Sequence, residues 1–271
     1  MPPRKRSLPL TYRRYLGLDR ILSAQKCVAR PAAHDELQFI VVHQVYELWF
    51  KLLIFETEAA SAAMRADEPK QATWIFVRLI EILRVLGQQI MVLETMTPVD
   101  FLKFRSNLDP ASGFQSSQFR ELEFMSGLKD ERYVRAFRGD ARATKALKRR
   151  LAEPTLWDAF TELLRRRGLP ARSPAEIIES VVACSSADEY YDVNRLAETM
   201  VEYDEMFAAW RHRHAQMAER MIGAKPGTGR ADVSRTIGEG ESFAEAGVRY
   251  LQEAAKKRFF PLLWEARTHM K

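Results

Sequence analysis

HDELQFIVVHQVYELWFK, residues 34–51, decides the fold. Phe39, His43, Tyr46 and Phe50 fall at i−4, i, i+3 and i+7, so one helix face carries three aromatic rings and a histidine. The same period predicts a long helix over about 34–64 and another over about 70–96, and strand-type alternation is nearly absent. Thr97-Pro98-Val99-Asp100 predicts a helix restart, with Pro near the first helical position and Asp in the first turn. Asp109-Pro110-Ala111-Ser112-Gly113 predicts a loop. Upstream, Thr11–Lys26 reads as an amphipathic helix ending before Pro31. Downstream, shorter helices are expected over 117–167, a break from Pro170 to Pro174, and a third long helix over about 187–222 that stops at Gly223. A polar, glycine-rich stretch to about Glu241 reads as a mobile loop, and a last helix over about 243–267 should be kinked or ended by Pro261. The expected fold class is all-α: a bundle of long helices with a smaller helical insertion at 128–186, in one domain spanning 1–271 with an N-terminal arm at 1–27.

Composition narrows the function classes. With 271 residues, 46% hydrophobic and 29% charged, a buried core is readily supplied. Two lone cysteines, Cys27 and Cys184, argue against a disulfide scaffold or a cysteine zinc site, and a reducing cytoplasmic setting fits them. The basic start MPPRKRSLPL lacks the apolar region of a secretory signal, and no unbroken apolar run of membrane-spanning length is present, so no membrane is expected. A net charge of +6 raises the question of nucleic acid. Arg13, Arg14, Lys148, Arg149, Arg150, Arg165, Arg166 and Arg167 are scattered and stand near acidic residues, which reads as solvated helix faces instead of an RNA-binding patch.

Among the five histidines, His43 and His214 lie on apolar stripes. Phe207, Trp210, His214, Met217 and Met221 share a face of the third long helix, whereas His212 points elsewhere, so the pair at 212 and 214 cannot chelate one metal from one side. No H-E-x-x-H and no two-histidine, one-carboxylate set is legible from spacing. A lone histidine among aromatics reads either as a hydrogen-bonded core residue or as the single protein ligand that haem requires beside an apolar slot. Arg105, one turn after Phe101, reads either as a surface side chain lying over its neighbours or as a bidentate carboxylate grip. The Gly-rich run 223–229 follows a helix instead of preceding one, so it is not the usual phosphate cradle.

Residues 34–51, Leu93 through Pro98 to Phe101 and Arg105, Pro110-Ala111-Ser112-Gly113-Phe114-Gln115-Ser116, Trp210-Arg211-His212-Arg213-His214 with Gly227-Thr228-Gly229, and Phe259-Phe260-Pro261-Leu262-Leu263-Trp264 together resemble the tryptophan 2,3-dioxygenase family. The blocks stand in that family's order from Leu10 to Arg267. The resemblance implies a single haem-binding domain, with haem b active in its ferrous form, and it implies O2 and L-tryptophan or a substituted tryptophan as substrates. It makes His214 the iron ligand and places His43 on the distal side, near the bound oxygen and the indole N–H. Arg105 would grip the substrate carboxylate and Thr228 its amino-acid end. Phe39 and Phe101 would wall the indole pocket, with Ser112 and Gly113 on the haem side. Tyr12 and Tyr15 would reach a neighbouring subunit's pocket in a homotetramer, and residues 223–241 would form the substrate lid.

The chain departs from the family pattern after Gly229. Arg230-Ala231-Asp232-Val233-Ser234-Arg235 stand where further Gly and Ser are usual, and extra residues precede Tyr250-Leu251. This leaves open a relative acting on a substituted tryptophan, as a dioxygenase or as a monooxygenase that stops at an oxindole. An alternative of another class is a basic helical module, without haem, that binds RNA or a partner helix.

Overall fold

The computed structural model describes residues 9–223, 225 and 243–270, and the side chains of 243–246 lie outside the description. Its helices, in chain order, are α1 (Tyr12–Tyr15), α2 (Leu18–Ile21), α3 (Glu36–Arg65), α4 (Pro69–Leu93), α5 (Pro98–Arg105), α6 (Ser117–Ser126), α7 (Glu131–Ala136), α8 (Ala141–Ala152), α9 (Leu156–Arg166), α10 (Pro174–Ser186), α11 (Tyr191–Ile222), α12 (Phe243–Ala255) and α13 (Pro261–Ala266). The described residues contain no strand. An all-α bundle with three long helices is what the periodicity predicts.

Two details differ from expectation. Thr11–Lys26 is not one helix: Gly17 at φ 63 adopts the left-handed conformation, closing α1 and opening α2 as separate single turns with no buried residue. Pro261 does not kink a continuing helix but occupies the first turn of a new one, α13, where its missing N–H costs nothing.

The centre is the α3–α4 hairpin with α11 laid along α4. Ala66, Asp67 and Glu68 make the hairpin turn, Asp67 in the left-handed region. The last carbonyls of α3 accept from Arg166, at 2.7 Å for Met64 and 2.6 Å for Arg65, and Arg167 donates to Asp67 at 2.6 Å. Those arginines therefore clamp the turn instead of facing only water. Arg150 departs further from the solvated-face reading. It is buried and donates to Glu58, Glu121 and Glu153.

Around this centre α9 and α6 lean on α3, α10 and α13 pair with each other, and α12 returns onto α11. The main core takes Leu79, Leu86 and Ile90 of α4, Leu53 of α3 and Met200 and Phe207 of α11, with α9 and α10 contributing Phe160 and Val181. A smaller cluster joins Phe124, Tyr133, Val134, Phe137 and Leu147 to Tyr250 of α12. Within 128–186, then, α7 and α8 belong to the small cluster and α9 and α10 to the main one.

Two buried polar arrangements fix α11. Asp204, fully buried, accepts from the backbone N–H of Phe259 (3.0 Å) and Phe260 (3.2 Å) and from Trp264 Nε1 (2.9 Å), pinning the chain before α13 to the middle of α11. Glu123 of α6 accepts from Arg120 (2.5 Å) and from Arg211 of α11 (2.8 Å). Arg120 also lies over the Tyr133 ring at 4.1 Å, and Arg211 over Phe207 and Phe259. Burial opposes ionisation of Glu123, yet the two guanidiniums prevail and hold its carboxyl below the ordinary range.

By length and composition α3 is apolar enough to cross a bilayer, although Glu, Gln, His and Lys interrupt it; 22% of the apolar window is buried, so much of it faces outward. Its outward Leu37, Val41, Leu48 and Phe55 continue onto Trp74, Val77, Val85, Met91 and Val92 of α4 as exposed apolar surface.

Candidate functional site

The site lies between α3 and α11. Both pack along α4, yet their backbones scarcely approach each other, and large rings span the interval: Tyr46 and Phe50 of α3 meet Trp210 of α11 at 6.0 and 6.1 Å between centroids.

On the α3 side, His43 Nδ1 donates to the carbonyl of Phe39, one turn earlier, at 2.7 Å. A carbonyl can only accept, so Nδ1 carries the proton and, in the neutral ring, Nε2 is left as an acceptor. Burial lowers the His43 pKa, against the opposing pull of the Phe39 carbonyl and the Glu47 charge. The ring is therefore neutral at pH 7. Phe39 packs on it at 4.0 Å, and Phe101 (5.7 Å) and Phe104 (5.5 Å) pack on Phe39. The last two come from α5, whose start follows the sequence signal: the Thr97 hydroxyl accepts from Asp100 N and Pro98 begins the helix.

On the α11 side, burial first and the nearby charge of a protonated His43 second together push the His214 pKa down to about 4. That second influence places the two imidazoles within electrostatic reach of one another across the interval. Trp210 stacks on His214 with ring centroids 5.6 Å apart and planes 5° from parallel. Trp210 is in turn packed by Phe119 of α6, which also meets Phe50 and Phe207.

The described residues contain no group of three His, Cys, Asp or Glu able to hold a bare metal ion. Haem asks for something else, one neutral axial imidazole and an apolar slot. A neutral His214 stacked on Trp210, on the helix face it shares with Phe207 and Met217, fits the demand for a neutral imidazole in apolar surroundings.

Of the sequence-predicted site residues, the structure brings Phe39, His43 and Phe101 together and sets His214 across from them. Arg105, half-buried, ends α5 four residues after Phe101. The Ser112 hydroxyl caps the short turn Gly113–Gln115, and no hydrogen bond joins Ser112 or Gly113 to either imidazole. Tyr12 and Tyr15 are 76% and 73% exposed on α1 and join no part of the site within one copy. Thr228 and nearly all of the segment 223–241 lie outside the described residues. Sequence reasoning missed Phe104 and Phe119 as site walls. Phe104 was discoverable from its place three residues after Phe101, whereas no local signal ties Phe119 to residues so distant in the chain.

A family model described as tryptophan 2,3-dioxygenase matches residues 3–178. Among curated proteins, the tryptophan 2,3-dioxygenase of a Nocardioides species is 48% identical, covering 96% of this chain and 95% of its own. The proteins of that name from Myxococcus xanthus and Herpetosiphon aurantiacus are 39% and 37% identical, covering 96% and 97% of this chain and 89% and 100% of their own. The family-model match ends before α11, but the similarity to these relatives runs on over nearly the whole chain.

Proposed function

The chain belongs to the tryptophan 2,3-dioxygenase family, and from that premise we propose how its residues divide the work. It is a haem-dependent oxidoreductase that uses tryptophan and O2, and oxygen is added across the indole C2–C3 bond to open the ring as N-formylkynurenine, the entry to the kynurenine route. The oxindole-forming and RNA-binding alternatives have no comparable support.

Bound haem supplies the redox-active iron at which dioxygen is activated; we assign it as haem b, active in the ferrous state. His214 holds it, because a ring with a pKa near 4 is neutral and keeps a lone pair for the metal at physiological pH. His43 presents Nε2 as an acceptor for the indole N–H, orienting the ring without serving as an obligatory base. Phe39, Phe101 and Phe104 pack the indole and exclude water. Arg105 binds the substrate carboxylate bidentately and Thr228 its ammonium end, while Ser112 and Gly113 border the haem. The observation that carries this reading is the pair of neutral, inward imidazoles on α3 and α11 with aromatic walls between them.

The assembly belongs to the same proposal. Large apolar residues stand exposed on α3 and α4, Trp74 being 73% exposed, as on surfaces that meet other protein. Other copies of the chain cover them in a homotetramer, in which Tyr12 and Tyr15 complete a neighbour's pocket. The cytoplasm is the proposed compartment, where both free cysteines stay reduced.

The test is a spectrum of haem-loaded protein with L-tryptophan, first without and then with 18O2, followed by product mass. N-formylkynurenine carrying two labelled oxygens is expected. An oxindole carrying one would overturn the reaction, and a protein that takes up no haem would overturn the site.

A further inference from the structure

An axial histidine ordinarily passes its second ring N–H to a carboxylate or carbonyl, which fixes the rotation of the ring about its bond. No hydrogen bond joins His214 to another described residue, and its ring packs instead on Trp210. Something else has to set the ring plane. Trp210, one helical turn earlier, lies parallel to it within 5°.

Trp210 is itself held in one orientation. It is 8% exposed and meets Phe50 at 88° and Phe207 at 74°, both edge-on, with Tyr46 and Phe119 tilted against it at 6.0 and 5.4 Å. Those four rings come from α3, α6 and α11, so the indole cannot turn without moving several core side chains. Tyr46 is anchored in its turn, its hydroxyl donating to the Leu86 carbonyl of α4 at 2.8 Å.

We infer that Trp210 is a positioning residue that sets the rotation of the His214 ring by stacking, in place of a hydrogen bond to its second nitrogen. The inference rests on His214 being the axial ligand. It follows that no carboxylate among the described residues supports the His214 ring, which then carries less anionic character than a carboxylate-bonded ligand.

The test compares Trp210→Leu, which removes the ring, with Trp210→Phe, which keeps one. Three readouts apply: the iron–histidine stretching band of the ferrous protein, the rate of haem transfer to a scavenging apoglobin, and the His214 ring resonances of 15N-labelled protein before haem is added. Trp210→Leu should split or broaden the band, speed haem loss by about tenfold and average the ring resonances. Trp210→Phe should keep a single band. Should Trp210→Leu fail to fold, Phe50→Leu loosens the indole from behind and should broaden the same band to a smaller degree. A single unshifted band with unchanged haem loss in Trp210→Leu, or no response to Phe50→Leu, overturns the inference. Absence of any iron–histidine band in the unaltered protein overturns the ligand assignment instead, so the two failures are distinguishable.

Discussion

The two histidine-bearing faces of the site are built by opposite means. His43 is fixed by a hydrogen bond to its own helix backbone, which commits one nitrogen and leaves the other as an acceptor. His214 has no hydrogen bond to a described residue and is held by ring packing, while the helix that carries it is anchored by buried charge at Glu123 and Asp204. The difference matches the tasks proposed for them. A group that reads a substrate N–H needs a defined tautomer, whereas a metal ligand needs a neutral ring in the right plane on a helix that does not shift.

The comparison breaks most severely at the ligand. His214→Ala should abolish the iron–imidazole band and lower turnover by more than about 100-fold, since even the supporting groups around metal ligands cost 10–100-fold. Unchanged ligation in that variant would move the metal to the other face. Next comes the anchor of α11. Glu123→Ala leaves Arg120 and Arg211 buried without their carboxylate and should cost about 3–5 kcal/mol, read as a lower melting temperature. The sign with pH follows from the lowered pKa of Glu123. Its contribution is present above the unfolded carboxylate value and is lost as pH falls through the folded one, so Glu123→Gln should flatten the acid limb of the stability curve. An unaltered acid limb would show that the cluster does not hold α11.

On the α3 face the expected effects are smaller. His43→Ser removes one orienting hydrogen bond and should slow turnover by about tenfold while haem stays bound. Loss of haem in that variant would show that His43, not only His214, carries the cofactor. Smallest of all, Thr97→Ala removes the cap of α5 and should cost about 1 kcal/mol of stability. Because α5 carries Phe101, Phe104 and Arg105, KM for tryptophan should rise more than turnover falls; the reverse pattern would remove α5 from the substrate pocket.

The long helices and both imidazole stripes were legible because a 3.6-residue period records which face is buried, and Thr97-Pro98 carries its own start signal. Three things were not legible. Gly17 divides a pattern that looks continuous, because an apolar stripe does not reveal which glycine takes a positive φ. Arg120, Glu123 and Arg211 carry no local sign of burial, since it depends on α6 and α11 meeting across 88 positions of sequence. Phe119 becomes a site wall through the same encounter. Packing between helices distant in sequence leaves no local trace.

The Asp204 clamp has a consequence for the chain between the two helices it brings together. With α12 laid on α11 and the strand of backbone before α13 tied to Asp204, residues 223 and 243 belong to elements already docked on one another. Closing a longer connection between docked ends costs only about 0.6 kcal/mol for each doubling of its length. The span between those helices can therefore gain or lose residues over evolutionary time with little penalty to folding, which leaves its length and sequence largely free of demands from the fold.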